Sequence, residues 1–156
     1  MIFLLLPTTA PTKLPKWQRK AGAQVHERFN DTEKGKGYAM DWMFNRLFKM
    51  ERQYDAVCVF DADNLVHPDF LKEMNSRLCN GERLIQGYLD SKNPNDTWIS
   101  GTFSIAFWVI NHVYHLAKYN IGLSSCLGGT ACAFPPIFCA AMAGAQPALR
   151  KIWNLP

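Results

Sequence analysis

Residues 54–71 read YDAVCVFDADNLVHPDFL, and no other stretch limits the possible folds as sharply. An apolar run, Ala56 to Phe60, has the length and β-rich make-up of a strand buried on both faces, and it stops at two carboxylates, Asp61 and Asp63, one small residue apart. The chain then turns polar and opens a helix. In an open α/β sheet the carboxyl end of a strand is where ligands sit, so the two acids fall where chemistry is expected. Paired acids at a strand end suit a hard divalent cation, which takes one or two carboxylates and fills its other positions with water and phosphate oxygens. The same acids equally suit an N-cap, satisfying open backbone N–H groups ahead of a helix over residues 68–78. The first choice points to a nucleotide diphosphate as partner.

With 156 residues, 48% of them hydrophobic, the chain can bury one core and is short for two domains. The net charge of +4 is spread over scattered lysines and arginines, without the basic face that nucleic-acid binding needs, so no nucleic-acid partner is expected. Five cysteines, Cys58, Cys79, Cys126, Cys132 and Cys139, form an odd set without CxxC spacing, which argues for a reducing compartment and against zinc. The opening MIFLLLP lacks a basic leader and is too brief for a signal core. No later run reaches the ~18 uncharged apolar residues of a membrane span.

Along the chain, residues 1–17 combine three leucines with PTTAPTKLPK, and their prolines predict no element beyond a frayed tail. Residues 23–29 predict a short strand and residues 30–37, NDTEKGKG, a polar loop. Ala39, Met40, Met43, Phe44, Leu47 and Phe48 form a helical stripe over residues 38–50. A second amphipathic helix over residues 68–78 is closed by Asn80-Gly81, a strand is expected at 83–88, and residues 98–119 read as one long aromatic helix. Strand, helix, strand, helix, strand in this order predicts α/β with some parallel pairing.

Other chemistry-bearing residues carry weaker signals. Lys36 sits between two glycines just before a helix, where backbone N–H groups favour anions, although the Walker A spacing is absent and a solvated turn lysine has the same pattern. His112 and His115 share a helix face without a carboxylate or cysteine to complete a ligand set, and His26 and His67 have no visible partner. Phe103, Phe107, Trp108 and Tyr114 are expected in a core or under chain not included here. The loop 126–130, CLGGT, offers close-approach glycines and no nucleophile.

Together, GKGYAMDW (35–42), VFDADN (59–64), LIQGYLDSKNP (84–94) and LGGT (127–130) resemble, in order and spacing, the family 2 inverting glycosyltransferases, most closely the bacterial cellulose- and hyaluronan-synthase-like branch. The resemblance covers residues 19–130. It implies a GT-A fold, a Rossmann-like α/β nucleotide-sugar-binding domain, here incomplete. It also implies transfer of a hexose or N-acetylhexosamine from a UDP-sugar to a saccharide acceptor, at the cytoplasmic face of a membrane reached through segments outside this chain. Carried over by residue, Asp61 and Asp63 match the DxD pair, with Asp63 the more direct ligand of a Mg²⁺ or Mn²⁺ on the diphosphate. Lys36 matches the lysine near the nucleotide, and Gln86 lies in the segment lining the sugar-acceptor cleft. The metal would act as a Lewis acid on the departing diphosphate. A module that binds nucleotide without catalysis is the alternative.

Two family segments are missing. The base-gripping segment that should precede residue 19 is absent, and after LGGT no Thr-Glu-Asp follows, so the general base that an inverting transfer requires is lacking; indeed no acid follows Asp96. One explanation covers both ends, frameshifts near Gln18 and near Thr130. Re-read from the third base of each codon, the residues after Thr130 permit Gly-Met-Cys-Phe-Ser and later Thr-Glu-Asp. Residues 1–17 permit Asp-Ile-Phe-Val-Val-Ala-Asp-Asn in the same way. Met142 before Ala143 must then give Gly, Trp153 before Asn154 must give Glu, and Met1 before Ile2 must give Asp. Residues 1–18 and 131–156 are therefore expected to be out-of-frame tails around a genuine core. Sequencing the coding DNA with its flanks checks this: the shifted frame should spell the family segments, and codons unable to do so would refute it.

Overall fold

A computed structural model describes residues 3–7, 18–33, 35–51 and 53–139. The expected tail segments 8–17 and 140–156 lie outside the described residues. The chain forms two compact units, residues 1–54 with 136–156, and residues 55–135.

In the first unit, β1 (Phe3–Pro7) runs parallel to β2 (Gln24–Arg28), with Phe3 opposite Gln24 and Pro7 opposite Arg28. This corrects the expectation of no element in residues 1–17. The apolar residues come before the proline-rich stretch, and a strand paired on one side is an edge, where a proline is tolerated. Arg28 is buried, and its guanidinium donates to the Glu33 carbonyl at 2.7 Å and to the Glu33 carboxylate at 3.1 Å. The Asn30 side-chain oxygen accepts the N–H groups of Thr32 at 3.0 Å and Glu33 at 2.9 Å. The polar loop is thus a tied Asx turn. It delivers the chain to α1 (Lys36–Leu47), which buries Ala39, Met40, Met43 and Phe44 on one face, as the stripe predicts. Gly35 caps α1 at φ 116°, a conformation that resists a side chain.

The second unit is built on a three-stranded antiparallel sheet. β3 (Val57–Val59) leads through α2 (Phe70–Cys79) to β4 (Ile85–Gln86), and β5 (Cys132–Phe134) lies between β3 and β4. Val57 faces Phe134, and Ile85 faces Ala133. The parallel pairing expected from element order occurs only in the first unit; here the central strand comes from the region past Thr130. Cys132 and Ala133 are fully buried, while β3, expected to be buried on both faces, is half-buried because it forms the sheet edge. The core joins Met74, Ile85 and Ala133 with Cys58, Phe70 and Leu78, and the Phe60 and Phe70 rings meet edge to face at 4.9 Å. Burial pushes the Cys58 thiol above its ordinary range. β4 is shorter than the expected 83–88 because β5 offers three residues to pair with, though the Gly87 N–H extends the ladder to the Ala131 carbonyl at 2.7 Å.

The long helix expected at 98–119 forms as α3 (Trp98–Val109), a π-helical stretch (Ile110–Leu116) and α4 (Ala117–Asn120). A reciprocal capping box between Thr97 and Ser100 starts it. Of the two expectations for its aromatic residues, the core does not hold: Phe103 is 62% exposed, Trp108 and Tyr114 are also exposed, and Phe107 is half-buried. Inward contacts come instead from small and polar residues, Ser104 and Asn111, both buried. No helix among the described residues is long and apolar enough to cross a membrane.

Two glycines test this packing. A Cβ on Gly87 would meet the Ala131 carbonyl oxygen at 2.7 Å and the Phe70 ring at 2.9 Å, whereas one on Gly101 meets only the Pro94 carbonyl at 3.4 Å. Gly87→Ala should lower stability by roughly 1–3 kcal/mol through overpacking. Gly101→Ala, inside α3, should be neutral or stabilising by up to about 1 kcal/mol. Urea unfolding midpoints that reversed this order would contradict the packing described.

Candidate functional site

The two acids leave β3 on a tight turn. The Asn64 N–H donates to the Asp61 carbonyl at 3.2 Å, and the Asn64 carboxamide oxygen accepts the Asp61 N–H at 3.2 Å, so the turn is closed from both ends. Ala62 lies between the acids, and both Asp61 and Asp63 are exposed at this corner. Asn64 also lies with its amide nitrogen 3.4 Å from the Asp63 carboxylate. The capping alternative does not hold, because α2 begins at Phe70 and its N-cap is Asp69, which makes no side-chain capping bond. The Asp69 N–H donates to the His67 ring at 3.2 Å, giving that histidine a local partner.

A second segment grips this turn from behind. The Asp61 N–H also donates to the Thr130 hydroxyl at 2.9 Å, and the Thr130 hydroxyl in turn donates to the Asn64 carboxamide oxygen. Thr130 is buried, and it stands at the end of the LGGT loop just before β5. Gln86 holds the same loop from the other side. Its carboxamide oxygen accepts the Gly128 N–H at 2.7 Å, and its nitrogen donates to the Thr130 carbonyl and to the Gly87 carbonyl, each at 3.0 Å. Both ends of the Gln86 amide are therefore engaged with backbone. Gly128 fits this crossing closely, since a Cβ there would come within 3.2 Å of Leu89.

The residues after β4 are pinned by the long helix. Asn111 donates to the Leu89 carbonyl at 2.6 Å, Trp108 donates its indole N–H to the Asp90 carboxylate at 3.0 Å, and the Tyr88 and His112 rings lie 5.6 Å apart. Asn111 and His112 belong to the π-helical stretch, a widening of the helix that often accompanies functional sites. His115 hydrogen bonds to Ser125. Among the described residues, no three His, Cys, Asp or Glu side chains converge on one metal position.

Lys36 belongs to the first unit, where it is the first helical residue of α1 and half-buried. The first turn of α1 holds no acid, so this cation sits where the helix dipole already favours a negative partner. In the same unit, burial lowers His26 below the usual histidine range, with Arg46 as a lesser cause.

The structure thus brings Asp61, Asp63 and Gln86 into one unit, linked through Asn64 and Thr130. Sequence reasoning quoted Asn64 and Thr130 within motifs without giving them roles. The signal for Asn64 was local, an Asx residue three positions after an acid at a strand end. Thr130 left no such trace, because its partner is 69 residues away.

The chain is 31% identical over 117 residues to chitin synthase 4 of Verticillium dahliae, a match covering 71% of this chain and 9% of that protein. No protein-family profile and no solved structure matches it. The chain is therefore similar, over most of its length, to a small part of an enzyme named for polysaccharide synthesis.

Proposed function

We propose that this chain is part of a family 2 glycosyltransferase with a GT-A fold, and that Asp61 and Asp63 hold a divalent cation against the diphosphate of a UDP-sugar. The observation that carries this reading is the acid turn: two exposed acids at a strand end, with the Asp61 N–H held by a hydroxyl from a distant loop. Similarity to a chitin synthase supports it from an independent direction. The donor set fits Mg²⁺ or Mn²⁺, because two hard carboxylate oxygens leave the remaining positions to water and phosphate. When bound, such a cation supplies Lewis-acid stabilisation of charge on the leaving diphosphate.

The residues divide the remaining work. Asp61 and Asp63 bind the cation, and Asn64 and Gln86 hold backbone in place around them. Lys36 is assigned to the nucleotide by resemblance, at a helix start that favours anions. The sugar is a hexose or N-acetylhexosamine, the acceptor a saccharide, and the whole enzyme works at the cytoplasmic face of a membrane through segments outside this chain. An inverting transfer needs a base to deprotonate the acceptor hydroxyl, and no Asp or Glu follows Asp96. The frame-shifted reading of residues 131–156 explains that loss. This polypeptide therefore binds UDP in a metal-dependent way and does not turn over, which is also what the non-catalytic nucleotide-binding reading requires.

Calorimetry of the full chain with UDP in magnesium buffer tests the proposal. The Asp61→Asn, Asp63→Asn double variant should lose at least about tenfold in affinity, about 1.4 kcal/mol. Release of UDP from a UDP-hexose or UDP-N-acetylhexosamine should stay at background. Unchanged UDP affinity in the double variant would refute the cation site, and sustained UDP release would refute the missing base.

A further inference from the structure

We propose that the outward face of the long helix, residues 98–120, is where a second copy of this chain packs, forming a two-fold dimer. The helix is inside out relative to an ordinary surface helix. Ser100, Ser104, Phe107, Asn111, His115 and Lys118 are buried or half-buried and recur every three or four residues, so they mark the side against the fold. All but Phe107 are polar. Hydrogen bonds fasten this side: Ser104 donates to the Ser100 carbonyl at 2.9 Å and Asn111 to the Leu89 carbonyl at 2.6 Å. The large apolar side chains point elsewhere, with Trp98 81% exposed, Val113 67% and Phe103 62%, and with Ile105 and Val109 also open. A monomeric surface helix has the opposite distribution, because its apolar stripe is what the fold buries.

The area of this face matches what a stable dimer needs. Aromatic side chains bury about 150–250 Å² each, so the exposed fractions of Trp98, Phe103, Trp108, Tyr114 and Tyr119 leave roughly 400–700 Å² of ring surface in water. The exposed aliphatic side chains of the same helix bring the face to the scale of a standard interface, about 800 Å² per partner. The largest apolar patch on a typical monomer is about 300–600 Å². This face exceeds it.

Charge allows the face to meet itself. A two-fold contact sets one patch against its own copy, so clustered like charges there would repel. No Asp or Glu occurs between Thr97 and Ile137, and Lys118 is the helix's only Lys or Arg. Its ammonium group lies over the Tyr114 ring at 3.9 Å. Two acids that reach the helix are engaged within the chain, Asp90 by the Trp108 indole and Glu82 by the Tyr119 hydroxyl. A lipid surface fits less well. Helices that lie in a membrane interface carry many lysines and arginines beside the apolar face, and this one carries Lys118 alone.

Sedimentation equilibrium of the full chain tests the dimer, with unfolding midpoints measured on the same samples. The chain should dimerise with a dissociation constant of about micromolar or tighter. Val113→Glu and Phe103→Glu should each weaken the dimer at least about thirtyfold, the scale of losing a central interface residue, and leave a folded monomer. Leu71→Glu, at a comparably exposed position on α2, should leave the dimer unchanged. If the glutamate variants do not fold, Trp98→Ser should produce the same dissociation. A monomeric chain, assembly beyond the dimer, or face variants that dissociate no more than Leu71→Glu overturns the proposal. So does a monomer that floats with phosphatidylcholine–phosphatidylserine vesicles and loses this with Val113→Glu, which makes lipid the occupant.

Discussion

The hydrogen bond from the Asp61 amide to the Thr130 hydroxyl ties the functional corner of the second unit to its central strand. Around that bond the parts fall into order. β3 brings the acids to the sheet edge, β5 supplies the buried anchor, and β4 contributes Gln86 to hold the connecting loop. Removing any one strand would leave the acids on an untethered turn. Neither acid gains its placement from capping a helix, since the N-cap of α2 is Asp69. The turn is held by contacts made to the Asp61 backbone, and both acids are exposed.

Much of the local structure was legible in the residues. The stripe of Ala39, Met40, Met43 and Phe44 announced α1, and Asn80 with Gly81 at φ 90° marked the end of α2. What stayed hidden depended on partners distant in sequence. β1 was obscured by the prolines that follow it, and its pairing with β2 follows from tertiary contact rather than from composition. β5 is only three residues, Cys-Ala-Phe, too short for periodicity to distinguish from a loop. Its insertion between β3 and β4 made that sheet antiparallel, which element order did not reveal. The residues left open whether Phe103 and Trp108 lie in a core or on a face without cover, because an aromatic residue at helical spacing looks the same either way, and the structure exposes them. For the candidate site, Asp61 and Asp63 stand out in the sequence by their place at a strand end, whereas Thr130 is joined to them only by the fold.

The frame-shift account and the fold can coexist. In the chain as translated, residues 131–134 read Ala-Cys-Ala-Phe, and in the shifted frame they permit Gly-Met-Cys-Phe. Both are apolar, and both suit a central buried strand. Thr130 precedes the proposed change, so the ring of hydrogen bonds behind the acids is retained. The acids permitted further on are lost, because the translated residues after Asp96 include no Asp or Glu. On the proposed function, a shift at this point would separate two capacities that an intact enzyme combines, leaving the acid turn and removing the base.

Anomalous diffraction from crystals grown with Mn²⁺ and UDP addresses the central claim most directly. The account expects a manganese peak coordinated by carboxylate oxygens of Asp61 and Asp63, with diphosphate oxygens completing its shell. A peak elsewhere, or UDP bound with neither aspartate touching the metal, would contradict it.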